Sequence, residues 1–128
     1  MELTIIQKRI FEIRGQRIML DKHLAELYGV PTKSLNLAVK RNIKRFPPDF
    51  MFKLTKQENT SLRFQSETLE KGKHSKFLPY AFTEHGITML SSVLRNDTAI
   101  NVNISVIRAF ILLKQHSNDF KLFAKKNR

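Results

Sequence analysis

The sequence predicts an α+β fold: an N-terminal β-hairpin, a helix-turn-helix, a small antiparallel sheet with a basic wing-like loop, and C-terminal helices. Three observations predict it. Short β-prone runs (Ile10–Ile13, Arg17–Leu20, Phe50–Leu54, Lys76–Phe82) are set apart by turn residues or by helical segments. Helix-start residues stand before apolar periodic segments at Asp21, Thr55 and Thr83. A long apolar stretch follows Asp97.

In chain order, Arg14-Gly15-Gln16 supplies a glycine-bearing turn between the first two runs, which makes them a hairpin. Asp21 is a suitable N-cap for a helix carrying Leu24, Ala25, Leu27 and Tyr28. Gly29 ends that helix, because a residue of positive φ is easiest to place there. After Pro31, Thr32 is an N-cap or first-turn residue, and a second helix runs to about Phe46, where Pro47-Pro48 stops it. Phe50–Leu54 reads as a strand. Thr55 with Glu58 three residues on is a capping box, opening a helix to about Gln65.

Glu67–Lys76 is polar and reads as a loop or the tip of a hairpin. Lys76–Phe82 is a further strand, and Pro79 suggests an edge position for it. Thr83 then caps a helix containing Ile87, Met89, Leu90, Val93 and Leu94. Beyond Asp97 two patterns compete. Ile100, Val102, Ile104 and Val106 alternate as in a strand, whereas Ile100, Ile104, Ile107 and Ile111 recur at helical spacing. The apolar pattern continues to Leu113, longer than a normal strand, and this favours the helix. A helix so apolar must be buried in the core, in a dimer interface, or in both.

Composition bounds the function. With 128 residues, 41% hydrophobic and 27% charged, the chain is one globular domain of ordinary size. No apolar run approaches the ~20 residues of a membrane span, and Met1–Ile6 lacks the plan of a secretory signal. The absence of cysteine removes disulfides and thiolate chemistry and fits a reducing, cytoplasmic setting. Net charge is +12, and it is concentrated. Lys8–Arg45 holds ten basic and three acidic residues, Lys71–Lys76 adds three cations, and the segment from Lys114 on is basic again. Neutral core-forming segments lie between these blocks, the distribution expected of a footprint on phosphates.

Asp21–Arg45 fits a helix-turn-helix at several points in register. Ala25 is the small residue where the helices cross, and Gly29 stands in the turn. Leu24, Tyr28, Val30, Leu35, Ala38 and Val39 fill the wedge. An ordinary αα-hairpin is the alternative. On the second helix Leu35, Ala38, Val39, Ile43 and Phe46 are expected inward. Lys33, Ser34, Asn36, Leu37, Lys40, Arg41, Lys44 and Arg45 are expected outward. Thr32, Lys33 and Asn36 are then the candidates for base edges, asparagine suiting adenine and lysine suiting guanine. Leu37 either touches a thymine methyl or packs against the hairpin. Lys40, Arg41, Lys44 and Arg45 are expected on phosphates, joined by Lys71, Lys73 and Lys76, with His74, if their loop acts as a wing.

An enzyme is the competing class, and the sequence gives it little. His23, His74, His85 and His116 show no metal-ligand spacing. Thr83-Glu84-His85 looks site-like, yet Thr83 is better placed as an N-cap with Glu84 at the helix dipole. Asp49 and the distant Asp119 are the nearest approach to clustered carboxylates. No catalytic residue, metal or cofactor is therefore expected.

The run Ile13-Arg14-Gly15-Gln16, Met19-Leu20-Asp21, Leu24-Ala25-Glu26-Leu27-Tyr28-Gly29-Val30, Leu35-Asn36 and Ala38-Val39-Lys40-Arg41-Asn42 resembles the phage and bacterial ORF-six N-terminal domain, related to KilA-N domains. Arg45-Phe46-Pro47, Asp49-Phe50-Met51-Phe52, Leu78-Pro79-Tyr80-Ala81-Phe82-Thr83-Glu84, Gly86 and Met89–Leu94 continue the resemblance, which reaches Leu113. His85 departs from it, standing where glutamine is expected. The resemblance implies a DNA-binding domain of phage antirepressor or regulatory proteins, and it favours the helical reading after Asp97. The expected partners are double-stranded DNA, a second copy of the chain, and, on the alternative antirepressor reading, a repressor protein held by the apolar C-terminal helix. Residues 1–116 are expected to form the domain and 117–128 a basic tail that opens a further C-terminal region.

Overall fold

The computed structural model of the chain describes residues 3–65 and 77–126, with side chains through 115 apart from that of 65. It is α+β, as the sequence predicts. The described elements are α1 (Leu3–Gln7), β1 (Phe11–Ile13), β2 (Gln16–Leu20), α2 (Asp21–Tyr28), α3 (Thr32–Arg41), β3 (Met51–Lys53), α4 (Lys56–Gln65), β4 (Tyr80–Thr83), α5 (Glu84–Leu90) and α6 (Asp97–Lys126). The strands form one antiparallel sheet in the order β1-β2-β4-β3. The hairpin is therefore half of the sheet rather than a separate unit. Met19 pairs with Phe82, and Phe82 with Met51.

β2 explains why its sequence reads Ile18-Met19-Leu20 without alternation: all three are fully buried, because the sheet is covered on both faces. Met19 and Phe82 face the main core with Leu24, Leu35, Ile87, Val102 and Val106. Ile18, Leu20 and Ala81 face a second core, closed by Leu62 of α4 and by Leu54. The period-two alternation of β4 thus divides its side chains between two layers of helix.

Turn and cap chemistry decides the element ends. Arg14 and Gly15 both have positive φ, 56° and 73°, and make a two-residue hairpin loop whose twist matches the strands. The turn is one residue shorter than expected, and Gln16 joins β2. Gly29 closes α2 with φ 70°. Asp21 is the first residue of α2 rather than its N-cap, which is Leu20. The capping box forms as predicted: the Glu58 N–H donates to Thr55 Oγ1 at 3.1 Å and the Thr55 N–H to Glu58 Oε1 at 2.8 Å. Thr83 caps α5, accepting from the Gly86 N–H at 3.3 Å.

Three further expectations need correction, and one helix, α1, has no counterpart among them. α1 carries no strong sequence signal and forms because Ile6 is buried where α1 packs along α6. β4 is central, and Pro79 stands just before it, offering only its carbonyl, to the Leu54 N–H at 3.0 Å. α5 stops at Leu90, with Val93 and Leu94 in the turns after it. α3 ends at Arg41, followed by a 3-10 turn at Ile43–Arg45. The Asn42 side chain donates to the Ala38 carbonyl at 2.8 Å and competes with continuation of the helix. After Asp97 the helical pattern wins, and α6 runs without a break to Lys126. Among the described residues no helix is long and apolar enough to cross a membrane.

Candidate nucleic-acid interface

The wedge between α2 and α3 is built from Leu24, Ala25, Tyr28, Leu35 and Val39, all buried. Val30 is half-buried behind Gly29, and its N–H donates to the Ala25 carbonyl at 3.0 Å. α2 is tied to α6 as well: the Tyr28 hydroxyl donates to Asn103 Oδ1, both groups being buried. Burial raises the Tyr28 phenol far above its ordinary value. α3 is thus held from behind, and its opposite side faces solvent.

That free side is basic. Lys33, Lys40 and Arg41 are exposed there, as is Lys44 on the 3-10 turn that follows, and none of them pairs with a carboxylate among the described residues. Two other cations behave differently. Arg9 is paired with Glu26. Arg14 forks onto Glu58 at 2.7 and 3.0 Å and lies 4.2 Å over the Phe52 ring. The Arg14 guanidinium holds the Glu58 carboxyl down at about 2, against an ordinary 4.5. These two arginines fasten one element to another, whereas the α3 cations fasten nothing. Arg45 is intermediate, exposed but donating to Ser92 Oγ at 3.0 Å.

The residues expected on base edges separate. Lys33 is exposed and Leu37 is 44% exposed, both on the free side, while Thr32 is half-buried in the first turn. Asn36 is corrected: its side chain does not point outward. Its Nδ2 donates to Asp21 Oδ2 at 2.9 Å, its Oδ1 is buried without a partner, and Asp21 is itself buried. The Lys22 N–H donates to the other Asp21 oxygen at 2.8 Å. Asn36 therefore locks the first residue of α2 to α3. The signal lay in spacing: Asn36 stands three residues before the buried Val39 and one after Leu35, at the margin of the inward face.

Ile43 is also corrected. Expected inward on a continuing helix, it is 54% exposed, because the chain leaves α-geometry after Arg41. It lines a cleft of about 360 Å³ with Lys33, Leu37, Lys40, Met51 and Tyr80. Leu37 thus borders the β3–β4 side of the sheet. Met51 and Tyr80 were invisible as neighbours of α3, since only sheet pairing brings them there. Lys44 and Arg45 sit on the 3-10 turn. Lys71, Lys73, His74 and Lys76 lie outside the described residues.

The site-like Thr83-Glu84-His85 run borders a second cleft, of about 630 Å³, together with Glu12 and Asp49. Thr83 is occupied there as a cap, and its hydroxyl donates to the Asp49 carbonyl at 2.8 Å. His85 stacks obliquely on Phe50, with ring centres 5.6 Å apart. No three His, Asp or Glu side chains among the described residues are grouped to hold a metal ion.

The sequence profile of the ORF6N domain matches residues 8–93. The matched span takes in the whole sheet, α2 through α5 and the cations of α3, and it stops before α6. Neither a curated protein nor a solved structure matches the chain.

Proposed function

The chain belongs to the ORF6N domain family, and on that premise we propose that it is a phage-type regulatory domain that binds double-stranded DNA in the cytoplasm, entering the major groove with α3 of a helix-turn-helix. One observation carries the reading: exposed cations without carboxylate partners collect on the side of α3 opposite its packed side, while the structural arginines elsewhere are paired. A solvated surface gains nothing from such clustering, since like charges repel; a phosphate backbone supplies the missing counter-charge.

Within that reading Lys33 reaches guanine acceptors and Leu37 meets thymine methyls beside the apolar cleft, with Thr32 at the first turn. Lys40, Arg41, Lys44 and Arg45 hold phosphates and set the register of the domain on the duplex. Asn36 positions α3 and reads no base. The reading calls for no catalytic group or cofactor.

Fluorescence anisotropy with a labelled duplex tests this. Binding should weaken steeply with salt, by about 0.9 logarithmic units per decade for each phosphate contacted. A Lys40→Glu/Arg41→Glu variant that keeps its fold should lose most of its affinity. Affinity insensitive to salt, or equal in that variant, would remove α3 from the interface.

A further inference from the structure

α6 has two faces. One is built into the protein: Ala99, Val102, Asn103, Val106, Ala109 and Phe110 are buried against α1, α2 and α5. On another side, Ile100, Ile104 and Ile111 are 48%, 44% and 42% exposed, with the half-buried Ile107 among them. Ile107 also packs partly against the main core, whereas Ile100, Ile104 and Ile111 belong to neither buried cluster.

Their spacing is specific. Asp97, Ile100, Ile104, Ile107, Ile111 and Lys114 follow one another at intervals of three, four, three, four and three residues. That is the seam of a coiled coil, in which apolar residues recur every 3.5 positions on average. The series is also symmetric about its centre, between Ser105 and Val106. Reversed end for end, Ile104 meets Ile107, Ile100 meets Ile111, and Asp97 meets Lys114. Both end residues are exposed and have no ion-pair partner among the described residues.

We propose that this stripe is a self-association surface, on which α6 packs antiparallel against α6 of a second copy, with Asp97 of each copy beside Lys114 of the other. Charge selects the direction. A parallel pairing would set Asp97 against Asp97 and Lys114 against Lys114, whereas the antiparallel one neutralises both ends. The contact is isologous and closes on itself, so it gives a dimer and not a chain of copies. From Asp97 to Lys114 the seam is about 26 Å long at 1.5 Å per residue. A single pair of helices of that length lies at the small end of stable interfaces, so association is concentration-dependent. The seam does not depend on DNA binding. Because Tyr28 fastens α2 to Asn103 of α6, it also fixes two copies of α3 about one two-fold axis.

Sedimentation equilibrium of the full chain tests the proposal, over loading concentrations from roughly 1 μM to roughly 1 mM. The mass should climb from the 15.0 kDa of one chain toward twice that value. Ile104→Glu, a surface substitution, should stay monomeric with an unchanged circular dichroism spectrum. Asp97→Lys and Lys114→Asp should each weaken the dimer about tenfold or more, since each places like charges together at both ends. The double variant Asp97→Lys/Lys114→Asp should recover it. A monomer at every concentration would overturn the proposal and leave the stripe to a different protein. A dimer that survives Ile104→Glu, or that ignores both single reversals, would overturn it as well.

Discussion

Replacing Asn36 by alanine separates two accounts of that residue, one in which it reads a base and one in which it holds α3 in place. The structure supports the second. Asn36 Nδ2 donates to Asp21 Oδ2 at 2.9 Å, and Asp21 is only 5% exposed, so water cannot easily replace the lost donor. Leaving a buried acceptor one partner short costs about 1–3 kcal/mol. Part of that is offset, because the substitution also deletes an Oδ1 that is buried without a partner. A net loss of about 1–2 kcal/mol is expected, which for a domain of this size lowers Tm by roughly 3–8 °C. Urea unfolding of Asn36→Ala, Asp21→Ala and the double variant forms a cycle, and the coupling should be about 1 kcal/mol or more. Duplex affinity should fall alike for all sequences. Unchanged stability with relaxed preference at a single base pair would refute the lock and return Asn36 to the groove.

Other consequences follow from single groups. Burial, with Arg9 and Lys22 adding to it, lowers the His23 imidazole to about 4 from its ordinary 6.5. The folded state thus favours neutral His23, and up to about 3 kcal/mol of stability is lost as pH falls from 6.5 toward 4; His23→Phe should flatten that part of a Tm-versus-pH curve. Glu58 is depressed to about 2 by Arg14, so its contribution is complete above pH 4.5 and disappears as pH falls toward 2; Glu58→Gln should remove this lower limb and leave the His23 limb intact. A Cβ at Gly86 would stand 2.0 Å from the Phe50 carbonyl oxygen, which also accepts from the Thr83 N–H at 3.0 Å. Gly86→Ala should therefore destabilise by about 3 kcal/mol, at the upper end of overpacking costs, as denaturant titration would show.

Much of the fold was legible because local chemistry announces it. The Thr55–Glu58 and Thr83 caps, the Gly29 turn and the helical spacing after Asp97 each act within a few residues, and the structure has them where the sequence puts them. What depends on distant packing was not legible. The central place of β4 follows from pairing with β2, some sixty residues earlier, and no pattern within Lys76–Phe82 reports it. α1 is a helix by virtue of the surface it packs on. The site divides in the same way. The basic outward face of α3 follows from helical period alone. The turn of Asn36 toward Asp21 and the exposure of Ile43 follow from interhelical geometry and an early helix end. Phase carried past Arg41 on a 100° rotation was bound to misplace Ile43.

Contact between the free side of α3 and duplex DNA is open to observation residue by residue. Backbone amide shifts of the isotope-labelled chain, followed while a mixed-sequence duplex is titrated in at low salt, test it most directly. The largest changes are expected from Thr32 through Arg45, concentrated at Lys33, Leu37, Lys40 and Arg41, and they should reverse on adding salt. Changes confined to α6 or to the Glu84–His85 cleft, with residues 32–45 unmoved, would contradict it.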